Sequence, residues 1–135
     1  MEQADWDALK AQMDSPWGVM KLQCDQYEVT LQQQTSSKSK SWSTMVYVDG
    51  YFKGIWIGAD EDGQPKHEEA RRFMRKASKS VHSRKAVEAA RKAFGKREAE
   101  KWAAKKYVYF EPYWKSFNTL KKHLLANNAS ITRVH

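Results

Sequence analysis

The dipeptide Asp49-Gly50 lies between two strand-like runs, Trp42 to Val48 and Tyr51 to Ile57. Aspartate followed by glycine suits the positive φ angles of a type I′ turn, which joins two antiparallel strands with matching twist. The segment is therefore predicted to form a β-hairpin. Gly54 falls inside the second of these strands, where a glycine typically marks a bulge or a close approach of another backbone.

A second hairpin is predicted upstream, from Gly18 to Gln23 and from Tyr27 to Gln33, with its turn at Asp25-Gln26. Apolar and polar residues alternate along the second of these runs, which is the period of a half-buried strand. The seven residues from Gln34 to Lys40 carry no apolar anchor and are predicted to form a mobile loop. Before the hairpin, apolar side chains at spacings of three and four predict a short helix over Asp5 to Met13.

Beyond Pro65 the hydrophobic period becomes helical. An amphipathic helix is predicted from Ala70 to Val81, and a second after the N-cap Ser83, with a break at Gly95 and an end near Lys106. After a short β-prone run, a last helix is predicted to open at Glu111-Pro112, because proline favours a first turn. The tail from residue 129 is predicted to be loose. The helical stripes predict four core residues, which are Phe73, Phe94, Phe117 and Leu120.

These elements predict an α+β fold, in which an antiparallel sheet of about four strands, from two hairpins, precedes three to four helices packed on one face. The 135 residues suit a single domain spanning 1–135. Its first half, 1–65, is acidic and mainly β, with 5 basic and 10 acidic residues. The second half, 66–135, is basic and mainly helical, with 19 basic and 6 acidic residues. Such an asymmetry of charge indicates an anionic partner.

The positive charge is densest between residues 71 and 97, where 11 cations stand among 27 residues and Glu88 is the only acidic residue that interrupts them. Nucleic-acid backbones bind such clusters because each neutralised phosphate releases condensed counterions. The solvated face of an ordinary surface helix is the alternative, although ordinary surfaces mix both signs of charge. The predicted binding residues are Arg71, Arg72, Arg75, Lys76, Lys79, Arg84, Lys85, Arg91, Lys92 and Lys96.

An aromatic run between Tyr107 and Phe117 has two interpretations. Its rings could stack on unpaired bases, as in proteins that bind single strands. They could equally belong to the core, and this is favoured because Tyr113 and Phe117 lie on the predicted apolar stripe of the last helix.

The sequence gives little support for catalysis. It contains no dinucleotide-binding or phosphate-loop glycine motif, no zinc-protease motif, no nucleophile elbow and no CxxC pair. Its four histidines are scattered and its one cysteine, Cys24, falls in a predicted strand, so no metal, no cofactor and no catalytic residue is predicted. The acidic triplet Asp60-Glu61-Asp62 lacks the rest of a calcium loop and is interpreted as a solvated turn.

The first twenty residues are polar and acidic, unlike a secretory signal, and no stretch is apolar enough to cross a membrane. The chain is therefore predicted to be cytoplasmic, with no membrane partner.

Four segments resemble small uncharacterised accessory proteins of bacteriophages and prophages, over the range from Trp42 to Asn128. The first two are Trp42-Ser-Thr-Met-Val-Tyr-Val-Asp-Gly and Gly54-Ile-Trp-Ile. The others are His67-Glu-Glu-Ala-Arg-Arg-Phe-Met and Tyr113-Trp-Lys-Ser-Phe-Asn-Thr-Leu-Lys-Lys-His-Leu. The resemblance implies a setting rather than a mechanism, since phage accessory proteins of this size commonly bind DNA or disable a host machine by occupying its surface.

The leading hypothesis is a small phage-type accessory protein that binds DNA or RNA through phosphate contacts from a basic helical face, without catalysis. The alternative is a phage-encoded inhibitor, of the anti-CRISPR or anti-restriction type, that docks on a host nucleic-acid-handling or defence complex. Its basic face would then compete for an acidic protein surface, or its acidic sheet would imitate phosphate. An enzyme is the third and least favoured hypothesis.

Overall fold

The computed structural model describes residues 1–15, 17–35 and 42–134. Within them the chain forms five α-helices and seven strands. In order these are α1 Gln3–Gln12, β1 Val19–Cys24, β2 Tyr27–Thr35, β3 Trp42–Val48, α2 Glu68–Phe73, β4 Arg75–Ser80, α3 Arg84–Phe94, α4 Lys96–Ala104, β5 Lys106–Glu111, β6 Tyr113–Trp114, α5 Phe117–Asn127 and β7 Ile131–Val134. The α+β class is confirmed.

Five strands form an antiparallel sheet in the order β6-β3-β2-β1-β7. The alternation of β2 sets the register, because Leu31 pairs with Met20 on one side and with Val46 on the other, and all three are buried. One face of the sheet is thus apolar. Helices α1, α2 and α5 contribute Trp6, Phe73, Leu120 and other residues to the same core cluster, and the opposite face carries mainly polar side chains. The predicted first hairpin and N-terminal helix are confirmed.

The Asp49-Gly50 turn is confirmed, with φ angles of 51° and 84°. Val48 and Tyr51 exchange two backbone hydrogen bonds, of 2.8 and 3.0 Å, which close the two-residue loop. The predicted second strand is wrong, because the chain leaves the sheet after Tyr51 and forms a 3₁₀ turn over Gly54–Trp56. Trp56 is buried in the core, and the edge of β3 is paired with β6 instead. Gly54 begins the 3₁₀ turn and is not in a bulge.

The predicted helix from Ala70 to Val81 is also wrong beyond Phe73. The backbone becomes extended at Met74, with φ −98° and ψ 149°, and the next six residues form β4. Strand β4 pairs with β5 over its whole length, from Arg75 opposite Glu111 to Ser80 opposite Lys106. A partner strand 26 to 36 residues away therefore decides the conformation of this segment, and its local helical pattern does not.

Between these two strands the chain forms α3 and α4, which pack against each other. Ser83 caps α3 as predicted, its hydroxyl accepting a hydrogen bond from the backbone N–H of Ala86 at 3.1 Å. The break at Gly95 is confirmed, and its φ of 94° belongs to the region that favours glycine.

We call residues 75–111 the arm. Its helices bury Ala90 and Ala99, but neither joins the main core.

Two expectations for the C-terminal region are wrong. Pro112 does not open a helix, because β5 and β6 flank it, and α5 begins only after Ser116, whose hydroxyl caps it. The tail is not loose, because β7 pairs with β1 at the edge of the sheet and Ile131 is buried. Of the predicted loop from Gln34 to Lys40, the first two residues extend β2, and the rest lie outside the described residues.

Candidate anion-binding surface

The net charge of the chain is carried by the arm. Residues 75–111 hold 12 basic and 4 acidic residues, a balance of +8, which equals the net charge of the whole protein. The remaining residues hold 12 basic and 12 acidic side chains. The relevant division is therefore between the arm and the rest of the protein, which we call the body. The sequence suggested instead a division between two halves of the chain.

Most arm cations have no acidic partner in the part of the chain that the structure describes. The ion pairs on the arm are Arg75 with Glu111, Arg91 with Glu88 at 3.5 Å, and Lys101 with Glu98 at 3.9 Å. Within the described ranges, the other nine arm cations form no ion pair, and all nine are exposed. They are Lys76, Lys79, Arg84, Lys85, Lys92, Lys96, Arg97, Lys105 and Lys106.

The structure separates the ten predicted binding residues. Eight lie on the arm, divided between strand β4 and helices α3 and α4, and they do not share the single helical face that the sequence predicted. Arg71 and Arg72 lie on α2, in the body. The Arg71 guanidinium donates to Glu68 and, at 3.4 Å, to Asn127, so it is already engaged within the protein.

Arg72 is a structural residue, with its side chain only 15% exposed. Its guanidinium donates to the carboxylates of Asp25 at 2.6 Å and Glu68 at 2.8 Å, and to the side-chain oxygen of Asn128 at 3.1 Å. It also lies over the ring of Tyr27, 5.4 Å from the centroid. These contacts join α2 to the β1–β2 turn and to the C-terminal end of α5, so Arg72 is not part of the candidate surface.

The carboxylates that hold this cluster are shifted toward their charged forms. The backbone N–H of Ala129, followed by the Arg72 side chain and the N–H of Ser130, lowers the pKa of Asp25. Hydrogen bonds from the guanidinium groups of Arg71 and then Arg72 lower the pKa of Glu68 to about 2. Both groups therefore stabilise the folded body and leave neither arginine free for an external anion.

Four of the arm cations are placed against the dipoles of their own helices. Arg84 and Lys85 occupy the first turn of α3, which contains no acidic residue, and Lys96 and Arg97 occupy the first turn of α4 together with Glu98. Positive charge near the N-terminus of a surface helix is unfavourable by about 0.3–1 kcal/mol per residue. Helix stability therefore does not account for these positions.

The aromatic residues of the sequence divide between core and surface. Phe110 and Trp114 are buried, and the indole N–H of Trp114 donates to the carbonyl of Phe73 at 3.1 Å. Tyr107 and Tyr113 are exposed. Phe94 is 67% exposed, so the prediction that it belongs to the core is wrong.

Phe94 forms part of an aromatic cluster on the arm that sequence reasoning missed. The ring of Trp102 stacks on His82, with centroids 4.4 Å apart, and Phe94 lies 6.5 Å from Trp102. The available signal was the position of Phe94 between Lys92 and Lys96. Its helical spacing from Ala90 obscured that signal, because it matched a continuous apolar stripe.

The side chains named in the sequence analysis as possible metal ligands or nucleophiles lie apart from one another in the part of the chain that the structure describes. No group of three or more His, Cys, Asp or Glu side chains there could hold a metal ion. The Asp60 carboxylate accepts the backbone N–H groups of Asp62 and Gln64, at 2.9 and 2.8 Å, as expected of a turn. Burial raises the pKa of the Cys24 thiol to about 12, so it is a poor nucleophile.

In the described segments, none of the helices is long and apolar enough to span a lipid bilayer.

Comparisons with known proteins place the chain in no family. No protein-family model matches it, and neither the curated proteins nor the solved structures include a significant match.

Proposed function

We propose that this is a phage-type accessory protein that binds nucleic acid through phosphate contacts from its arm, without catalysis. The observation that carries the proposal is the concentration of the whole net charge on the arm, with nine exposed cations that have no acidic partner among the described residues. Cations already neutralised within the protein gain little from a phosphate, whereas free ones release its condensed counterions.

The placement of these cations also supports the proposal. A charged surface kept only for solubility would carry both signs, and its helices would place basic residues toward their C-termini. The arm carries 12 basic residues against 4 acidic ones, and cations stand in the first turns of both of its helices as well as in the last turns. An anion held near these positions would offset the unfavourable interaction with the helix dipoles.

Phosphate mimicry by an acidic sheet is less well supported. The polar face of the sheet carries Lys21, Gln23, Glu28, Thr30 and Gln32, so strands β1 and β2 present one acidic side chain there. Glu28 is paired with Lys21 at 3.6 Å. The alternative is that the arm docks on an acidic protein surface, and the pulldown described below distinguishes it from nucleic-acid binding.

Two charge-reversal variants of equal net charge test the proposal. The arm variant replaces four exposed arm lysines with glutamate, and the body variant replaces four exposed body lysines. The arm set is Lys79, Lys85, Lys92 and Lys96, and the body set is Lys10, Lys53, Lys66 and Lys122. Both variants have a formal net charge of zero. Arg72 and Arg75 are left unchanged because they form ion pairs with Asp25 and Glu111.

We expect the arm variant to lose affinity for labelled oligonucleotides in fluorescence anisotropy and the body variant to retain most of it. Glutamate at positions 85 and 96, in the first turns of α3 and α4, favours the helices, and at position 92, in the last turn of α3, it costs about 0.3–1 kcal/mol. Circular dichroism should confirm that both variants fold. Equal losses in the two variants would mean that net charge alone drives binding, and absence of binding by the unmodified protein would contradict the proposal.

A pulldown from host lysate, with and without nuclease, distinguishes nucleic-acid binding from docking on an acidic protein. Partners that disappear after nuclease treatment support nucleic-acid binding by the arm. Partners that persist after nuclease and are lost only in the arm variant would replace this proposal with docking on a protein.

A further inference from the structure

Three rings meet on the arm and only one of them is freely exposed. His82 precedes α3 and stacks on Trp102 of α4, with an interplanar angle of 26°. Both rings are half-buried, so each limits the motion of the other. Phe94, the last residue of α3, lies beside Trp102, and its side chain is the exposed member of the cluster.

Positive charge surrounds the exposed ring. Lys92, Lys96 and Arg97 lie within three residues of Phe94 along the chain, and all three are exposed. The nearby acidic groups Glu88 and Glu98 lie within 4 Å of Arg91 and Lys101. These charges favour a ligand that has a flat apolar surface to cover Phe94 and negative charge beside it.

We propose that Phe94, supported by Trp102 and His82, stacks on unpaired bases, so that the arm favours single-stranded segments. This inference rests on the proposed nucleic-acid binding and adds the class of ligand. Bases within a continuous duplex are covered on both faces by their neighbours, whereas an unpaired base can receive an aromatic ring. A positively charged surface combined with such a ring is the usual composition of single-strand binding sites.

The size of the apolar surface favours a base over a protein. A stable protein interface buries about 800 Å² on each partner and has an apolar centre. Among the described arm residues, the exposed large hydrophobic side chains are Val81, Phe94 and Tyr107, and of these only Phe94 lies on α3 or α4. One exposed ring is too small for such a centre, but it is sufficient for one base.

The test compares one oligonucleotide as a single strand and as a blunt duplex, each bound to the unmodified protein and to three variants. Phe94→Ala removes the ring, Phe94→Tyr retains it, and Tyr51→Ala removes an exposed ring from the body as the matched control. Because the two ligands differ in phosphate density, affinities are compared between variants on the same ligand.

We expect Phe94→Ala to weaken single-strand binding by about 5- to 150-fold, the range for loss of one base–aromatic stack, and to change duplex binding by less than about twofold. Phe94→Tyr and Tyr51→Ala should retain single-strand affinity. Equal effects of Phe94→Ala on both ligands, or no effect on either, would overturn this inference and leave phosphate binding by the arm intact. Absence of binding to both ligands by the unmodified protein would overturn the proposed function as well.

Discussion

Two phenylalanines that the sequence predicts to be core residues should respond oppositely to truncation. Phe73 is 0% exposed, its ring packs edge-on against Tyr27 at 5.5 Å, and its carbonyl accepts the indole N–H of Trp114. Truncating a buried phenylalanine to alanine costs about 3–5 kcal/mol, because both the transfer energy and the cavity contribute. Phe94 is mostly exposed, so its truncation should cost less than about 0.5 kcal/mol.

The assay is thermal and urea unfolding of Phe73→Ala, Phe94→Ala and the unmodified protein. For a chain of this size, about 3–5 kcal/mol corresponds to a fall in Tm of roughly 10–20 °C. Phe94→Ala should unfold within about 2 °C of the unmodified protein. Equal destabilisation by the two substitutions would show that Phe94 packs in a core, and would refute both the arm geometry and the stacking inference.

Three further predictions concern the body. Gly50→Val should destabilise the protein by about 1–2 kcal/mol in thermal unfolding, because the φ angle of Gly50 is 84°, where a side chain strains the backbone. An added Cβ meets no atom within 4 Å, so a steric clash would not be the cause. An unchanged Tm would count against the turn. Cys24 should resist alkylation at neutral pH until the protein is unfolded, since its thiol is buried and its pKa is about 12, and rapid labelling of the folded protein would contradict this. The pKa of Glu68 falls from 4.5 to about 2 on folding, so the contribution of its carboxylate to stability is present above about pH 4.5 and is lost as the pH falls toward 2. Glu68→Gln should therefore flatten the pH dependence of Tm in that window. An unchanged profile would exclude the ion pairs with Arg71 and Arg72.

The parts of the fold that could be predicted are those that short-range chemistry decides. The alternation of β2, the Asp49-Gly50 turn, the Ser83 cap and the break at Gly95 all depend on residues within a few positions of each other. Each has a local physical cause, such as a positive φ angle or an unsatisfied N–H at a helix start. The structure agrees with all four.

The parts that could not be predicted depend on distant partners. Strand β4 has a helical pattern of apolar residues, yet it pairs with β5. Strand β7 pairs with β1, more than a hundred residues earlier in the chain. Strand β6 has only two residues, which carry no period at all. Pairings across such distances are decided by tertiary contacts, and these override the local preference of a short segment.

The sequence predicted most of the cations of the candidate site, but it did not predict their positions or their contacts in the fold. Eight of ten predicted cations lie on the arm, since charge density is visible in the sequence. The engagement of Arg71 and Arg72 was not visible, because Asp25, Asn127 and Asn128 lie about fifty residues away along the chain. The aromatic cluster was missed because Phe94 was assigned to an apolar stripe that the structure leaves exposed.

Salt dependence of duplex binding by the unmodified protein tests the central claim most directly. The logarithm of the binding constant falls against the logarithm of salt concentration with a slope of about −0.9 per phosphate neutralised. The nine arm cations without an ion pair among the described residues limit the slope to about −8, and contact by half of them would give about −4. Anisotropy titrations between roughly 50 and 200 mM salt should therefore yield a slope between about −3 and −8. No binding at about 50 mM salt, or a slope shallower than about −1, would contradict the claim that the arm binds nucleic acid through its phosphates.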